Sequence, residues 1–524
     1  MKVAIIGAGI AGLATAALLS ADGHEVNVFE QRENVGGRAG SIAADGFRFD
    51  TGPSWYLMPD VFDHFFELFG TSAEKELDLR VLDPAYRVFY EEGEPLDIAR
   101  DFDSNVATFD SVEPGAGRKL ADYVGSAQEA YDLALKHFLY TNFTDPTNLL
   151  VSDVIGNLPK LAPLLTQSLE TFVGKRFSDN RLRQILGYPA VFLGSSPERT
   201  PSLYHLMSAL DLTGGVMYPQ GGFTALIDAI HRLATSSGAT VTTGASVTSI
   251  LTDPLPASSP RRVRGRRARA AGLVWRDGEG IEHRHDADLV VGAGDLFHGE
   301  TKLLPPSLQT FPASWWDKRE SGPGAVLVLL GVRGQLPEMP HHSLFFTTDW
   351  RENFDAIREG RMPSPASAYV CKPSETDPSV APEGHENLFI LIPVPAAPAI
   401  GRGGADGAGD SVIERAADDA IAQISAWANI PDLAERIVVR RTIGPGDFAA
   451  DLSAWRGGML GPAHTLGQSA MFRAGNRSRR VDGLYYAGSS TIPGIGLPMC
   501  LISAELVLKH VRGDRSPNPV ERLG

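Results

Sequence analysis

The sequence predicts an α/β fold that opens with a parallel sheet and brings the two ends of the chain together. Near the N-terminus, an apolar strand over residues 3–6 precedes an Ala- and Leu-rich helix over 10–20 and a second strand over 25–29. This strand–helix–strand order is typical of the unit that opens a parallel sheet. Near the C-terminus, a strand over 485–489 leads through a glycine-rich turn to a helix over 501–511. With 524 residues the chain exceeds a single core, so we expect two or three domains.

The composition is typical of a soluble globular protein and argues against several partners. Hydrophobic residues make up 43% of the chain, and the formal net charge is -15. This acidic balance argues against nucleic acid and against broad adhesion to anionic lipid. The two cysteines, Cys371 and Cys500, do not stand at metal-ligand spacing. They predict unpaired thiols in a reducing, cytoplasmic compartment and no metal site.

Two uncharged segments resemble targeting or membrane signals. Residues 3–21 follow a lysine in the manner of a signal peptide, and residues 485–504 are long enough to span a bilayer. The first segment, however, carries glycines at motif spacing. The second contains Pro493 and Pro498, which would break a lipid-exposed helix. We therefore expect neither a cleaved signal nor a transmembrane helix.

The turn between the first strand and the first helix carries the motif GAGIAG, which contains Gly7, Gly9, Ala11 and Gly12. Glycine permits a tight turn at the first position, backbone approach to a pyrophosphate at the second, and close helix–strand packing at the third. Glu30 ends the second strand, where a carboxylate can accept hydrogen bonds from ribose hydroxyls. Glycine-rich turns are common, but strand, helix and acidic residue all stand where a Rossmann-type nucleotide site needs them.

Residues 485–499, YYAGSSTIPGIGLPM, predict the second half of the same site. Backbone N–H groups at such a helix start can face an isoalloxazine carbonyl and stabilise negative charge on a reduced flavin. An ordinary strand-to-helix turn is the alternative. Paired with the N-terminal motif, the segment points to FAD rather than NAD. The residues that we assign to FAD binding here are Gly488, Gly496, Leu497, Pro498 and Met499.

Segments between the two ends extend the predicted FAD site. Residues 36–41, GGRAGS, suit a second pass along the pyrophosphate, although a glycine turn with a surface arginine is the alternative. Residues 50–54 would pass the flavin end, and a strand over 246–248 could pair with the adenine edge. Residues 287–295 predict a strand that ends in a turn near the dinucleotide. The site residues added by these segments are Gly37, Arg38, Gly52, Pro53, Ser54 and Val247.

Further motifs carry a resemblance that covers nearly the whole chain. They are GVMYPQGG at 215–222, SAYVCKPS at 367–374, TDPSVAPEG at 376–384, IPVP at 392–395, Asp447-Phe448, TLGQSAMFRAGN at 465–476, and the segment 485–499. With them, the sequence resembles the bacterial phytoene desaturase family of carotenoid biosynthesis, in its actinobacterial branch. These FAD-dependent enzymes are related in fold to amine oxidases. An arginine-rich segment at 261–269 and a glycine loop at 401–409 are longer than is usual in the family.

The resemblance implies an activity as well as a fold. Members of the family remove hydrogen from a long linear polyene, which here implies phytoene as substrate and a lycopene-like product. FAD would take up the electrons, and oxygen or a membrane quinone would reoxidise it. No Ser/His/Asp or Cys/His arrangement stands out in the sequence, so we name no catalytic base. His341 and His342 are adjacent and are expected to point in different directions, which argues against a shared metal.

The predicted domains are discontinuous. Residues 1–75, 220–300 and 440–524 are assigned to FAD binding, and residues 76–219 and 301–439 to a substrate domain that combines a mixed sheet with helices.

Because phytoene is insoluble, we expect peripheral association with the inner face of the cell membrane, through a tunnel mouth in the helical region 120–215. An internal helix packed on the sheet is the alternative. The residues that suggest lipid contact are Leu158, Leu161, Leu164, Leu165 and Leu169, with Lys160 and Lys175.

Two other functions remain open from the sequence. The first is a different oxidation on the same scaffold, by a carotenoid ketolase or an amine oxidase. An amine oxidase should show an aromatic pair beside the flavin and usually a cysteine tether, and Cys500 is the only cysteine near the predicted site. The second is a non-catalytic FAD-containing protein that carries a prenyl lipid, which would leave phytoene unchanged.

Overall fold

Five sheets are present in the described part of the chain. The structure is a computed structural model that describes residues 1–145, 152–256, 261 and 265–524, and of residues 152–155 and 158 only the backbone. In chain order the strands are β1 (Lys2–Ile6), β2 (Glu25–Phe29), β3 (Ser41–Ala44), β4 (Phe47–Asp50), β5 (Leu79–Val81), β6 (Tyr86–Tyr90), β7 (Leu96–Ile98), β8 (Met217–Pro219), β9 (Thr240–Thr242), β10 (Ser246–Pro254), β11 (Ala268–Arg276), β12 (Glu282–Asp286), β13 (Leu289–Gly292), β14 (Gly324–Arg333), β15 (His342–Phe346), β16 (Ala368–Cys371), β17 (His385–Val394), β18 (Ile437–Ile443), β19 (Val481–Asp482) and β20 (Leu484–Tyr486).

Most of the described α-helices lie in the first half of the chain. In chain order they are α1 (Ile10–Ala21), α2 (Pro59–Glu67), α3 (Ala73–Glu76), α4 (Phe102–Val112), α5 (Ala116–Ala134), α6 (Ser152–Thr166), α7 (Leu169–Gly174), α8 (Asn180–Gly187), α9 (Pro189–Phe192), α10 (Met207–Leu212), α11 (Phe223–Ser236), α12 (Leu296–Lys302), α13 (Ala313–Trp316), α14 (Trp350–Arg358), α15 (Ser411–Trp427), α16 (Pro445–Leu452) and α17 (Leu497–Arg512).

A sheet of five parallel strands joins the two ends of the chain, in the order β20-β13-β1-β2-β9. In its centre, Ala4 of β1 lies beside Val290 of β13 and Asn27 of β2. β20 then pairs with the outer side of β13. Helices α1 and α17 pack against each other in the same apolar core, and both are almost wholly buried. The predicted α/β fold is confirmed, and the structure shows that strands from both ends of the chain lie in one sheet.

A second large sheet has seven strands in the order β18-β14-β17-β16-β15-β6-β7. Its pairs are antiparallel except β15 with β6. Alternate residues of β14 point to opposite faces, as they must in a strand. Val326 and Val328 pack with Ile413 and Ala417 of α15, whereas Leu327 belongs to the opposite face. The sheet therefore offers one face that is free to line a site.

The region 55–215 is mainly helical, as the sequence predicts, but its strands were not located in advance. β6 and β7 extend the seven-stranded sheet at one edge. The run YRVFY of β6 is short and apolar, and such a run cannot be assigned to strand or helix by periodicity alone. Only the pairing with β15, some 250 residues later, makes it a strand.

Prolines usually break a helix, but those at 159 and 163 lie inside one here. α6 runs through both, and the break comes after Thr166. There Ser168 caps the next helix, with its Oγ accepting a hydrogen bond of 3.2 Å from Thr171 N. This N-cap allows α7 to begin as a separate helix, because it satisfies one of the backbone N–H groups that have no partner in the first turn of a helix.

The segment 485–504, which is long enough to span a bilayer on count alone, folds as β20, a turn and the first half of α17. α17 begins at Leu497 rather than at residue 501, because Pro498 is compatible with the first turn of a helix. Among the described residues, no helix is both long and apolar enough to cross a membrane. The strands of the parallel sheet fall within the residues assigned to FAD binding, whereas the boundary at 440 lies inside β18. The domain boundaries stay a prediction.

Candidate active site

A cavity of about 550 Å³ lies where the β1–α1 turn meets the turn before α17. It extends from the glycine-rich turns to the helical region and to the free face of the seven-stranded sheet. All but one of the sequence-predicted site residues line it. They are Gly7, Gly9, Ala11, Glu30, Gly37, Arg38, Gly52, Pro53, Ser54, Val247, Gly488, Gly496, Leu497, Pro498 and Met499.

Gly12, the exception, lies behind the wall rather than on it. A Cβ atom at Gly12 would come within 1.9 Å of the carbonyl oxygen of Gly7. Gly7 itself has a φ of +99°, which favours glycine. The two residues thus allow α1 to start directly against the end of β1, which is the packing role expected of the third glycine in the motif.

Glu30 ties the end of β2 to the glycine motif. Its carboxylate is buried, and Oε2 accepts a hydrogen bond of 2.8 Å from Ala8 N while Oε1 accepts one of 2.9 Å from Arg32 N. Gly9 is the N-cap of α1 and offers no side chain, so the N–H groups of the first helical turn are left for another acceptor. An anion at this point would satisfy them and gain from the helix dipole.

The second glycine motif lies on the first. Gly36 N donates to Ala8 O at 2.9 Å, and a Cβ at Gly52 would approach Arg38 O to 2.0 Å, so three segments meet with no room for side chains. The Nε atom of Arg38 is buried at the cavity and has no hydrogen-bond partner among the described residues. An unpaired buried N–H group is costly, and a pyrophosphate would satisfy it. The residues present therefore fit a dinucleotide.

Asp295 is a member of this site that the sequence did not single out. It lies at the end of the segment after β13, and its Oδ2 is 4.0 Å from an Arg38 nitrogen. Its Oδ1 accepts from His298 N at 3.1 Å and caps α12, and its Oδ2 accepts from Trp455 N at 3.0 Å. Burial raises the pKa of Asp295, against the opposing charge of Arg38. An Asp at the end of the turn predicted over 287–295 was the available signal, because Asp is a preferred N-cap residue.

Three glycines shape the turn before α17. Gly488, Gly494 and Gly496 have φ values of +120°, +149° and +119°, which side chains rarely adopt. A Cβ at Gly494 would also lie 2.3 Å from the ring of His464. Gly496 caps α17 without a side chain, so the first N–H groups of this helix are again left for a ligand.

Cys500, in the first turns of α17, lines the cavity but is not an activated thiol. Its thiol is buried, and burial raises its pKa to about 12 in spite of the opposing effects of Arg38 and Arg473. The thiol therefore stays protonated and packs as a small apolar group.

The remainder of the cavity is apolar. Helices supply one wall and the seven-stranded sheet the other, and few charged side chains reach this part. The lining side chains include Tyr188, Val191, Phe192, Leu193, Leu206, Met207 and Leu210 from the helical region, and Leu327, Leu344, Phe346, Tyr369, Phe389 and Leu391 from the sheet. Such a lining fits a hydrophobic ligand that reaches the glycine turns at one end.

Two polar pairs interrupt the apolar lining. Tyr188 donates to the buried Asp211 at 2.6 Å, and burial raises the pKa of Asp211 to about 7. Tyr204 and His464 both line the cavity, and the Tyr204 hydroxyl lies 2.7 Å from His464 Nδ1. His464 Nε2 accepts from Ile495 N at 3.2 Å, and burial holds the His464 pKa well below its usual value.

The imidazole of His464 is therefore neutral at pH 7, with its proton on Nδ1. Neither pair was foreseen, because the partners are far apart in sequence.

The fold and the cavity together define a flavin-dependent oxidoreductase. The chain belongs to the flavin-containing amine oxidoreductase family, because the sequence model of that family matches residues 10–507. It is an enzyme that uses FAD.

Curated relatives cover almost the whole chain. It is 38% identical over 504 residues to the carotenoid 3,4-desaturase of Haloarcula japonica, covering 96% of each. It is 32% identical over 514 residues to the zeta-carotene-forming phytoene desaturase of Myxococcus xanthus, covering 97% of this chain and 93% of that protein. It is also 29% identical over 519 residues to the 4,4'-diapophytoene desaturase of Staphylococcus haemolyticus.

Solved structures confirm the fold at low sequence identity. An oxidoreductase from Methanosarcina mazei matches with a TM-score of 0.61 and 19% identity, covering 97% of this chain and 100% of that one. Putrescine oxidase in complex with putrescine matches with a TM-score of 0.59 and 16% identity, covering 98% and 99%. The predicted amine-oxidase-like flavoprotein fold is thus confirmed.

Proposed function

We propose that this enzyme desaturates a linear carotenoid precursor and converts phytoene toward a lycopene-like product. The observation that carries the proposal is a cavity that has dinucleotide-type glycine turns at one end and an apolar lining at the other. The names of the relatives support the reaction class but differ in the bond that is desaturated. We assign the sixteen site residues named from the sequence to FAD.

Bound FAD supplies a two-electron acceptor for a hydride from the substrate. The apolar walls position the polyene carbon near the turn before α17 and exclude water. The first turn of α17 places backbone N–H donors at the same end of the cavity, where they stabilise negative charge.

A proton must also leave the neighbouring carbon, and we assign its first acceptor to Tyr188. Tyr188 lines the cavity, and its hydroxyl oxygen can take the proton while its own proton passes to Asp211 Oδ2, 2.6 Å away. Tyr86 donates to the same oxygen at 3.1 Å but does not line the cavity. In this role Tyr188 is the catalytic residue, and Asp211 acts through it.

We place the membrane contact on a different surface from the one that the sequence suggested. Of the predicted lipid-facing leucines, Leu161 and Leu169 are buried, and the side chain of Leu158 lies outside the described residues. Leu466, Met471 and Phe472, by contrast, are 46%, 48% and 57% exposed on one loop.

That loop directly follows His464, which lines the cavity together with its hydrogen-bond partner Tyr204. Substrate would enter from the bilayer here, and oxygen or a membrane quinone would accept the electrons. Of the arginine-rich segment, Arg261 and Arg266 pair with Asp482, which favours a structural role over lipid contact.

Expression in a host that accumulates phytoene tests the reaction. We expect coloured products whose absorption spectrum counts the double bonds introduced. Protein loaded with FAD that leaves phytoene unchanged would contradict the proposal and favour the lipid-carrier alternative. Oxidation of an amine by the same preparation, without coloured product, would favour the amine oxidase.

A further inference from the structure

Two histidines and a cysteine form a buried cluster behind the wall of the cavity. His341, His342 and Cys371 are 2%, 0% and 3% exposed. His342 begins β15 and pairs directly with Cys371 at the end of β16, so their side chains share one side of the sheet. One nitrogen or sulfur atom from each of the three residues lies within 4.8 Å of the other two.

The two imidazole rings converge, contrary to the expectation from sequence. Their centroids are 4.5 Å apart, with an angle of 73° between the planes. Alternation applies within a strand, but His341 precedes β15 and is not part of it. The argument that neighbouring histidines point apart therefore fails here.

Each ring leaves one nitrogen without a partner. His341 Nδ1 lies 2.8 Å from Thr376 Oγ1, and His342 Nδ1 lies 2.8 Å from the Tyr369 hydroxyl. Both Nε2 atoms are buried with no hydrogen-bond partner among the described residues. Burial lowers the pKa of both histidines, that of His341 to about 3, so the rings are neutral at pH 7. Two unpaired ring nitrogens therefore stand in the same buried cluster as a cysteine sulfur, which is costly unless a ligand binds them.

We propose that His341, His342 and Cys371 bind one thiophilic d¹⁰ cation, Zn²⁺ or Cu⁺. Imidazole nitrogen and thiolate are the ligands that these ions prefer, and each ring has a hydroxyl partner at Nδ1 that helps to fix its orientation. Ligand atoms around tetrahedral zinc lie roughly 3.3–3.8 Å apart, given bonds of about 2.0–2.3 Å. The three atoms need to close by only about an ångström.

Charge and proton balance are consistent with a cation. Binding releases one proton, from the Cys371 thiol, and leaves a thiolate on the metal. With Zn²⁺ the site keeps a net charge of +1. Asp377 interacts electrostatically with His341 and Asp50 with Cys371, and both carboxylates can balance that charge. Lys372 opposes them, but its Nζ is paired with Glu375.

The ion would support the wall of the cavity. The Trp55 ring stacks on His342 with centroids 4.9 Å apart, and the Tyr369 hydroxyl also lies 2.6 Å from Ser54 Oγ. Trp55, Ser54 and Tyr369 all line the cavity. A metal would link β15, β16 and the segment after β4 at the wall, independently of the reaction that the enzyme catalyses.

Elemental analysis of the full-length, FAD-loaded protein tests the site. After growth with added zinc and washing with a chelator, we expect about one zinc or copper ion per chain in the wild type. Cys371→Ser should lose it, whereas Cys500→Ser, at the only other cysteine, should keep it. Wild-type protein that binds no stoichiometric ion even after incubation with Zn²⁺ would overturn the proposal, as would an ion that Cys371→Ser retains.

X-ray absorption on the wild type decides the matter if Cys371→Ser does not fold. We expect one sulfur at about 2.3 Å and two imidazole nitrogens at about 2.0–2.1 Å from zinc. An ion with only oxygen and nitrogen ligands would refute the assignment.

Discussion

The hydroxyl of Tyr188, at the cavity wall, donates a hydrogen bond of 2.6 Å to Oδ2 of Asp211, a carboxyl group that is otherwise sealed in the protein. Asp211 Oδ1 has no partner among the described residues. The pair therefore connects the expected substrate site, at the cavity wall, with a buried carboxyl group that can accept a proton.

Tyr188→Phe removes the hydroxyl and keeps the ring. We expect the rate of flavin reduction by substrate to fall about 10²-fold, in the range typical of a lost general base. Anaerobic single-turnover bleaching of FAD measures this step apart from reoxidation. Tyr86→Phe removes the second donor to Asp211 without altering the cavity wall and should lose much less. Equal losses in the two variants would show that Tyr188 only supports Asp211.

The reduction rate should depend on pH through Asp211. Its pKa is raised to about 7 by burial, and only the ionised form accepts the proton from Tyr188. We expect the wild-type rate to decrease as pH falls through about 7 and the Asp211→Asn rate to be low at every pH. The same acidic limb in Asp211→Asn would assign it to another group.

The free energy of unfolding should also depend on pH through Asp211. It should decrease as pH rises, whereas the reduction rate should increase. The folded-state pKa of Asp211 is raised above the unfolded value, so the folded state binds the extra proton between about pH 4 and 7. Its contribution to the free energy of unfolding is present below that range and is lost as pH rises through it. Compared with wild type, Asp211→Asn should become relatively more stable from pH 4 to 7, by about 4 kcal/mol at most. Urea unfolding at several pH values measures the difference, and a constant difference would exclude a raised pKa.

Gly12→Ala should impair FAD binding although Gly12 does not line the cavity. The added Cβ would overlap Gly7 O at 1.9 Å and push α1 away from β1, at a cost of about 1–3 kcal/mol. The ratio of flavin to protein absorbance and the denaturation midpoint measure both effects. Gly125→Ala, in α5 with no atom within 4 Å of the new Cβ, is the matched control and should be neutral or stabilising. A variant at Gly12 with full flavin content would contradict the packing role.

The loop with Met471 and Phe472 should govern membrane binding. Replacing both residues by Ser removes exposed apolar area, so co-sedimentation of FAD-loaded protein with liposomes should fall several-fold. Ile281→Ser, at a residue 52% exposed on the β11–β12 hairpin, removes a similar exposed group elsewhere and should have no effect. If the double variant binds as well as wild type, the entry surface lies elsewhere.

The cofactor-binding end of the site can be predicted from local sequence motifs. The residues at the reactive end are brought together by contacts between parts of the chain that are far apart in sequence. Gly7, Gly9 and Glu30 stand within one strand–helix–strand unit, where spacing fixes their relative positions. Tyr204 and His464 are 260 residues apart, and only the packing of a helical segment on the turn before α17 brings them together. The ring contact of His341 with His342 was missed for a different reason, because strand alternation was applied to a residue that precedes the strand.

Because the parallel sheet contains strands from both ends of the chain, it can be completed only late in synthesis. β1 and α1 emerge from the ribosome long before α17, which covers α1 and begins at Leu497. At about 5–20 residues per second, the apolar surface of α1 waits roughly half a minute to a minute and a half for that partner. The nascent chain must therefore be shielded over most of its translation, and the flavin pocket can close only after β20 and α17 have left the ribosome.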